Sequence, residues 1–253
     1  VLSSFKKGGR LIYIGSGTSG RLGILDASEC PPTFSVMPEL IQGIIAGGRE
    51  AVFKSIENAE DDVEAAAVEM RKMEISENDT VLGITASSST PFVLSGLKEA
   101  KHLGACTGLL CCNEMSKPDF TDVLIRILVG PEVIAGSTRM KSGTATKLAL
   151  NMITTTAMIK MNKTYGNLMV DLRAWNQKLW ERGTKIISHI CEIPEPDALE
   201  LLTQCDGEVK TAIGVFELNE SATEIRKKLL EMKGSLRELL NSYGNYSCNK
   251  NQI

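Results

Sequence analysis

Absences narrow this chain first. No apolar run approaches the roughly 20 residues that a membrane-spanning helix needs, and residues 1–7, Val-Leu-Ser-Ser-Phe-Lys-Lys, lack the apolar core of a secretory signal. A cytoplasmic protein with no membrane partner is expected. The seven cysteines show no Cys-x-x-Cys pairing, and Cys111-Cys112 sits in an apolar run that reads as a buried strand. This argues against a disulfide framework and points to reduced thiols. The two histidines, His102 and His189, fall outside every motif. No metal constellation is present, and no cofactor is expected. Basic excess is missing too: a net charge of -3 and a pI near 5.6 argue against nucleic acid as a partner and favour a small ligand.

With 253 residues, 43% hydrophobic and 23% charged, the chain can bury one full core and a small appendage. It begins at Val1, and a strand follows almost at once, so a preceding segment outside this sequence is expected.

The organising stretch is Gly15-Ser16-Gly17-Thr18-Ser19-Gly20-Arg21. An apolar run at residues 10–14 leads into it, and Asp26-Ala27-Ser28-Glu29-Cys30-Pro31-Pro32 closes the turn or helix behind it. A strand, a glycine bend and a helix start turn backbone N–H groups and hydroxyls toward one point, where the helix N-terminus adds positive potential. No Gly-Lys-Ser/Thr follows, so this is not a P-loop. Gly15-x-Gly17-x-x-Gly20 matches the dinucleotide fingerprint by spacing alone. The hydroxyls of Ser16, Thr18 and Ser19 suit a sugar phosphate better than a pyrophosphate. The alternative is a glycine-rich turn with no ligand.

Further strands are expected at residues 40–46, 80–86, 105–112 and 122–129, with helices at 92–103 and 142–161 between and after them. This alternation implies a parallel sheet with right-handed crossovers. A helical stretch from Glu57 to Met73 carries its acidic residues at its start, and another, 170–191, carries Trp175 and Trp180 as packing anchors. Met152, Met158 and Met161 read as core and interface filler. Two more hydroxyl-rich loops follow strands: Ser87-Ser88-Ser89-Thr90-Pro91, and residues 130–141 with Glu132, Ser137 and Thr138. In an open parallel sheet such loops converge at the carboxyl ends of the strands. Pro194-Glu195-Pro196 suggests a boundary between a domain at 1–192 and a small helical domain at 193–253, where a helix pair repeats before a polar tail at 243–253.

Residues 9–23, 25–34, 45–48, 130–139 and 165–171 closely resemble the N-acetylmuramic acid 6-phosphate etherase family over essentially the whole chain, without that family's N-terminal helical segment. The resemblance implies an α/β fold of the sugar isomerase (SIS) type: a parallel sheet flanked by helices, with a small C-terminal helical bundle. It also implies a phosphosugar substrate and a homodimer whose site lies near the subunit interface. One departure stands out. The family's usual Ala-Ser-Gly-Arg-Thr-Pro is here Ala86-Ser87-Ser88-Ser89-Thr90-Pro91, with serines in place of glycine and arginine. By resemblance, Glu29 and Glu60 are the catalytic carboxylates, acid and base in an order left open, and Ser16, Thr18, Ser19, Ser87, Ser88, Ser89, Thr90, Glu132, Ser137 and Thr138 bind substrate. The competing function is a non-catalytic, phosphosugar-responsive regulator like the glucokinase regulatory protein. An aldose–ketose isomerase on the same fold is the third reading.

Overall fold

The structure is a computed structural model that describes residues 1–242; the tail at 243–253 lies outside them. A short helix α1 (Leu2–Lys6) precedes β1 (Leu11–Gly15), α2 (Gly17–Phe34), β2 (Ile41–Ile45), α3 (Val63–Lys72), β3 (Thr80–Thr85), α4 (Pro91–His102), β4 (Cys106–Cys111), β5 (Val123–Arg126) and α5 (Lys141–Lys160). After these come α6 (Gln177–Cys191), α7 (Glu195–Gln204), α8 (Val209–Leu218), α9 (Ala222–Glu231) and α10 (Leu236–Asn241). The chain divides into two compact units: residues 1–31 with 36–155, and residues 32–35 with 156 onward. The boundary expected at 192/193 falls between α6 and α7, inside the second unit.

In the first unit the strands form one sheet in the order β2-β1-β3-β4-β5, all pairings parallel. β1 and β3 are buried along their whole length, which explains why they read as continuous apolar runs: helices cover both faces of such a sheet. Ile12, Ile14, Val81, Phe92, Val93, Leu97 and Leu109 form a core with almost no exposed surface. The connection reverses direction between β1 and β3, so the loops that follow these two strands flank the crevice where α/β sheets bind ligands.

The second unit has its own core, centred on Ile187, Ala198, Leu202, Val209, Ile213, Ile225 and Leu239. The repeat seen in the sequence is two helical hairpins, α7–α8 and α9–α10. Each first helix ends in a left-handed residue and a glycine, Asp206-Gly207 and Lys233-Gly234. The glycine N–H donates back five residues, to Leu202 O and Leu229 O respectively, which is a helix-ending bond of the Schellman type.

Two expected helices are shorter than the sequence suggested. Over 170–175, Val170, Leu172 and Ala174 are buried while their neighbours are not. That is the period of extended chain, and Asn176 caps α6 by accepting from Leu179 N. Trp175 therefore lies outside the helix and is 61% exposed, so it is no packing anchor, whereas Trp180 packs against the core. At Glu57 the chain makes a left-handed residue, Asn58, and a 3-10 turn, Ala59–Asp61; the helix starts only at Val63, with Asp62 accepting from Ala65 N.

Candidate functional site

The glycine loop is a packing device as well as a bend. A Cβ on Gly15 would lie 2.6 Å from Gly20 N, and one on Gly20 would lie 2.6 Å from Ile45 Cγ1. Any side chain at these positions would push α2 off the sheet. Gly17 has φ +51, in the region glycine favours. The result holds Ser16 at the end of β1 and places Thr18 and Ser19 in the first turn of α2, the end that attracts anions.

Gly15 pairs in register with Ile84, so the loop after β3 leaves the sheet beside the glycine loop. Its hydroxyls form a network. Thr85 Oγ1 lies 2.8 Å from Thr90 Oγ1 and 3.3 Å from Ser87 Oγ, and Ser89 donates to Ser87 through both its N–H and its hydroxyl. Ser88 adopts φ +70 and buries its hydroxyl oxygen without a partner. The serine that replaces the family's glycine thus keeps a glycine-like backbone.

The third loop reaches the first through the start of α5, where a Cβ on Gly143 would sit 3.4 Å from Thr18 Cγ2 and 3.5 Å from Thr138 O. Ser137 and Thr138 lie on that approach. Glu132 is engaged differently from the sequence reading: its two carboxylate oxygens accept from Lys141 N at 3.1 Å and Ser142 N at 2.9 Å. The backbone N–H of Ser142, foremost, holds its carboxyl below the usual range. It caps α5, and so fixes the loop that carries Ser137 and Thr138.

Glu60, in the 3-10 turn, meets the glycine loop directly: Ser16 Oγ donates to its Oε2 at 3.4 Å. The two line a cleft of about 170 Å³ together with Gly17, Arg21, Asn58 and Glu57. Arg21, directly after the third glycine, has its guanidinium on Val52 O and Lys54 O and pins the segment that walls this cleft. Glu29 is not in this cleft. α2 runs straight through Pro31-Pro32, which puts Glu29 about 18 Å along the helix from Gly17 at 1.5 Å per residue. It is exposed and makes no side-chain hydrogen bond or ion pair among the described residues. One turn back, Asp26 is buried, with 4% exposed, and accepts from Tyr13 Oη, Asn151 Nδ2 and Thr154 Oγ1 at 2.7, 2.6 and 3.1 Å. Burial and the neighbouring Asp26 push the Cys30 thiol up to about 12, so no thiolate nucleophile stands beside Glu29.

The structure therefore sets Glu60 against the glycine loop of Ser16, Thr18 and Ser19, with the loops that carry residues 87–90 and 137–138 beside it toward the carboxyl ends of the strands, and leaves Glu29 apart. Sequence reasoning missed the Asp26 clamp and the Arg21 anchor. Asp26 gives no signal of its own within its motif, because its partners Asn151 and Thr154 lie more than a hundred residues away. Among the described residues no group of His, Cys, Asp or Glu could hold a metal ion, and no helix is long and apolar enough to cross a membrane.

Comparison with known proteins gives consistent matches. The profile of the glucokinase regulatory protein N-terminal SIS domain matches residues 1–101. N-acetylmuramic acid 6-phosphate etherase from Rhodopirellula baltica is 51% identical over 241 residues, 95% of this chain and 80% of that protein. The protein of the same name from Clostridium beijerinckii is 51% identical over 246 residues, 97% of this chain and 81% of its own. Phosphoheptose isomerase from Neisseria gonorrhoeae superposes on 62% of the chain with a TM-score of 0.43 at 14% identity.

Proposed function

The chain belongs to the N-acetylmuramic acid 6-phosphate etherase family, and on that premise we propose how it cleaves the D-lactyl ether to give N-acetylglucosamine 6-phosphate and D-lactate. In the open-chain sugar the proton on carbon 2 is acidified by the adjacent aldehyde. A carboxylate takes that proton, the electron pair becomes the carbon 2–carbon 3 double bond, and the ether bond at carbon 3 breaks as a carboxylic acid protonates the departing lactate oxygen. Water then adds across the double bond, its hydroxyl to carbon 3 and a proton to carbon 2, and both carboxyl groups return to their starting states.

The observation that carries this reading is the contact between Ser16 and Glu60 at the glycine loop. That contact brings a carboxyl group to the glycine loop, beside hydroxyl loops suited to a sugar phosphate. We assign Glu60 to the carbon 2 proton and Glu29 to the leaving oxygen. Ser87 and Thr90 lie nearest the phosphate, at the start of α4.

Glu29 lies too far along α2 to serve the Glu60 of its own chain, so it acts in the site of a second copy within a cytoplasmic homodimer. α5 supports such an assembly: Leu148, Met152 and Ile159 form a single exposed stripe at 52%, 62% and 49%, spaced as one helix face. The test is subunit complementation. Glu29→Gln and Glu60→Gln chains are each assayed for D-lactate release from N-acetylmuramic acid 6-phosphate, then mixed one to one under conditions that exchange subunits. If each site takes one carboxylate from each chain, half the dimers are mixed and each has one intact site, so roughly a quarter of wild-type activity returns. Two inactive variants that stay inactive after demonstrated exchange would place both carboxylates in one chain. A wild-type chain that releases no lactate would remove the reaction itself.

A further inference from the structure

The second unit holds a cavity of about 610 Å³ that the etherase reaction leaves unused. Five cations line it, Lys163, Arg173, Lys210, Arg226 and Lys233, against two carboxylates, Asp171 and Glu208. Most of these are already paired. Asp171 serves both Lys163 at 2.6 Å and Lys210 at 3.0 Å. Lys210, 7% exposed, spends its remaining N–H groups on Asn162 O and Gly234 O. Arg226 bridges Glu208 and Asp206. Arg173 and Lys233 have no acidic partner among the described residues. The cavity therefore keeps an uncompensated positive charge on two exposed donors, with the fixed ammonium of Lys210 behind them. Burial holds the Lys210 pKa below its ordinary value although Asp171 opposes the shift.

Beneath the cations the surface is apolar, with Val170 and Val209 fully buried, Leu229 at 8% and Leu230 at 80% exposed. A bare inorganic ion would leave that surface wet. The volume is that of a small-molecule pocket, and a chain of net charge -3 repels extended polyanions. We infer that this cavity is a second ligand site for a small organic phosphomonoester, whose phosphate meets Arg173 and Lys233 while its carbon skeleton covers Leu229 and Leu230. The site is independent of the catalytic assignment, because none of its residues belongs to the cleft at Glu60.

The test is calorimetric titration of the full chain at low salt with glucose 6-phosphate, which has no lactyl ether to cleave, with inorganic phosphate and with glucose. A Ser87→Ala, Thr90→Ala background weakens the first site. The expected result is that glucose 6-phosphate still binds in this background, at least about tenfold more tightly than inorganic phosphate, and that glucose does not. Arg173→Gln with Lys233→Gln should weaken that binding by about tenfold or more, the scale of losing charge-assisted hydrogen bonds. In an otherwise wild-type chain the same pair should leave lactate release unchanged. Arg173→Lys with Lys233→Arg keeps both charges and should retain binding, which separates charge from folding. Binding lost in the Ser87, Thr90 background would overturn the second site, as would binding indifferent to Arg173→Gln and Lys233→Gln. Equal affinity for inorganic phosphate and glucose 6-phosphate would overturn the organic class of the ligand.

Discussion

Ser88 sets two terms against each other, and replacing it separates them. At φ +70 an L-residue bears roughly 1–2 kcal/mol that glycine does not, and its hydroxyl, buried without a partner, adds about 1–3 kcal/mol of unreturned desolvation. Glycine recovers both but gives back about 0.5–1 kcal/mol of backbone entropy. Ser88→Ala keeps the strained backbone and removes only the hydroxyl. Both variants should therefore be more stable than the parent, with Ser88→Gly ahead of Ser88→Ala by up to about 1.5 kcal/mol, the strain less the entropy. For a chain of this size each kcal/mol moves Tm by about 2–4 °C, so calorimetry and urea titration can resolve the difference. If the hydroxyl is instead kept for the substrate, both variants should bind a sugar phosphate more weakly than the parent, by about tenfold for one lost hydrogen bond. Stability gained with affinity lost would mark Ser88 as a ligand residue. Unchanged stability in both variants would refute the reasoning, because neither the strain nor the orphaned hydroxyl would then carry an energetic cost.

Other perturbations follow from the same geometry. Replacing both Ser87 and Thr90 with alanine should raise the apparent Kd for a sugar phosphate and barely change binding of its dephosphorylated counterpart; equal weakening of both would misplace the phosphate. Tyr13→Phe leaves the buried Asp26 carboxylate one donor short, so urea titration should show a loss of about 1.5–3 kcal/mol, the range for a hydrogen bond to a charged group. Gly20→Ala drives a methyl to 2.6 Å from Ile45 Cγ1 and 2.9 Å from Gly15 O; a melting curve should show roughly 1–3 kcal/mol of overpacking, with sugar-phosphate binding weakened alongside. Asp79 is buried, which alone would raise its pKa, but Arg10 and the backbone N–H groups of Ser76 and Arg10 outweigh burial and hold it below 3.8. Its contribution to stability is thus complete above pH 3.8 and is lost as pH falls through the lower folded value. Asp79→Asn should flatten the acid limb of the stability curve, and an unchanged limb would reject this carboxylate as its source.

How far the fold could be read from sequence depended on whether local pattern and tertiary role agreed. β1 and β3 were legible because a strand buried on both faces reads as a nearly continuous apolar run, and the hydroxyl loops were legible because parallel sheets leave such loops at the carboxyl ends of the strands. The stretch 170–175 was misread because Val170, Leu172 and Ala174 are apolar at a spacing that a longer window blends into the helix after Asn176. The end of α2 was misread for the opposite reason. Proline is a helix breaker by rule, yet Pro31 and Pro32 stand in the last turn, where only the carbonyls of the preceding turn lose their bonds. The left-handed backbone at Ser88 was not legible, since serine carries no local signal for a positive φ.

The site was legible in its residue types and not in its assembly. Nothing in the order Asp26-Ala27-Ser28-Glu29 shows that Asp26 turns inward to three donors from β1 and α5 while Glu29, three residues on, turns out with no partner among the described residues. The two facts belong together. A buried carboxylate is tolerated only when fully hydrogen-bonded, and meeting that requirement with side chains from β1 and α5 locks the final turns of α2 in place. A flexible surface glutamate could find water anywhere, but one carried on a locked helix end is held at a fixed position relative to the sheet. Such fixity has no use for a carboxylate that serves only as a solvated charge. It matters if the group must meet a substrate with little reorganisation, and since the cleft at Glu60 lies at the other end of α2, the subunit-mixing experiment decides whether that substrate is one held by another copy of the chain.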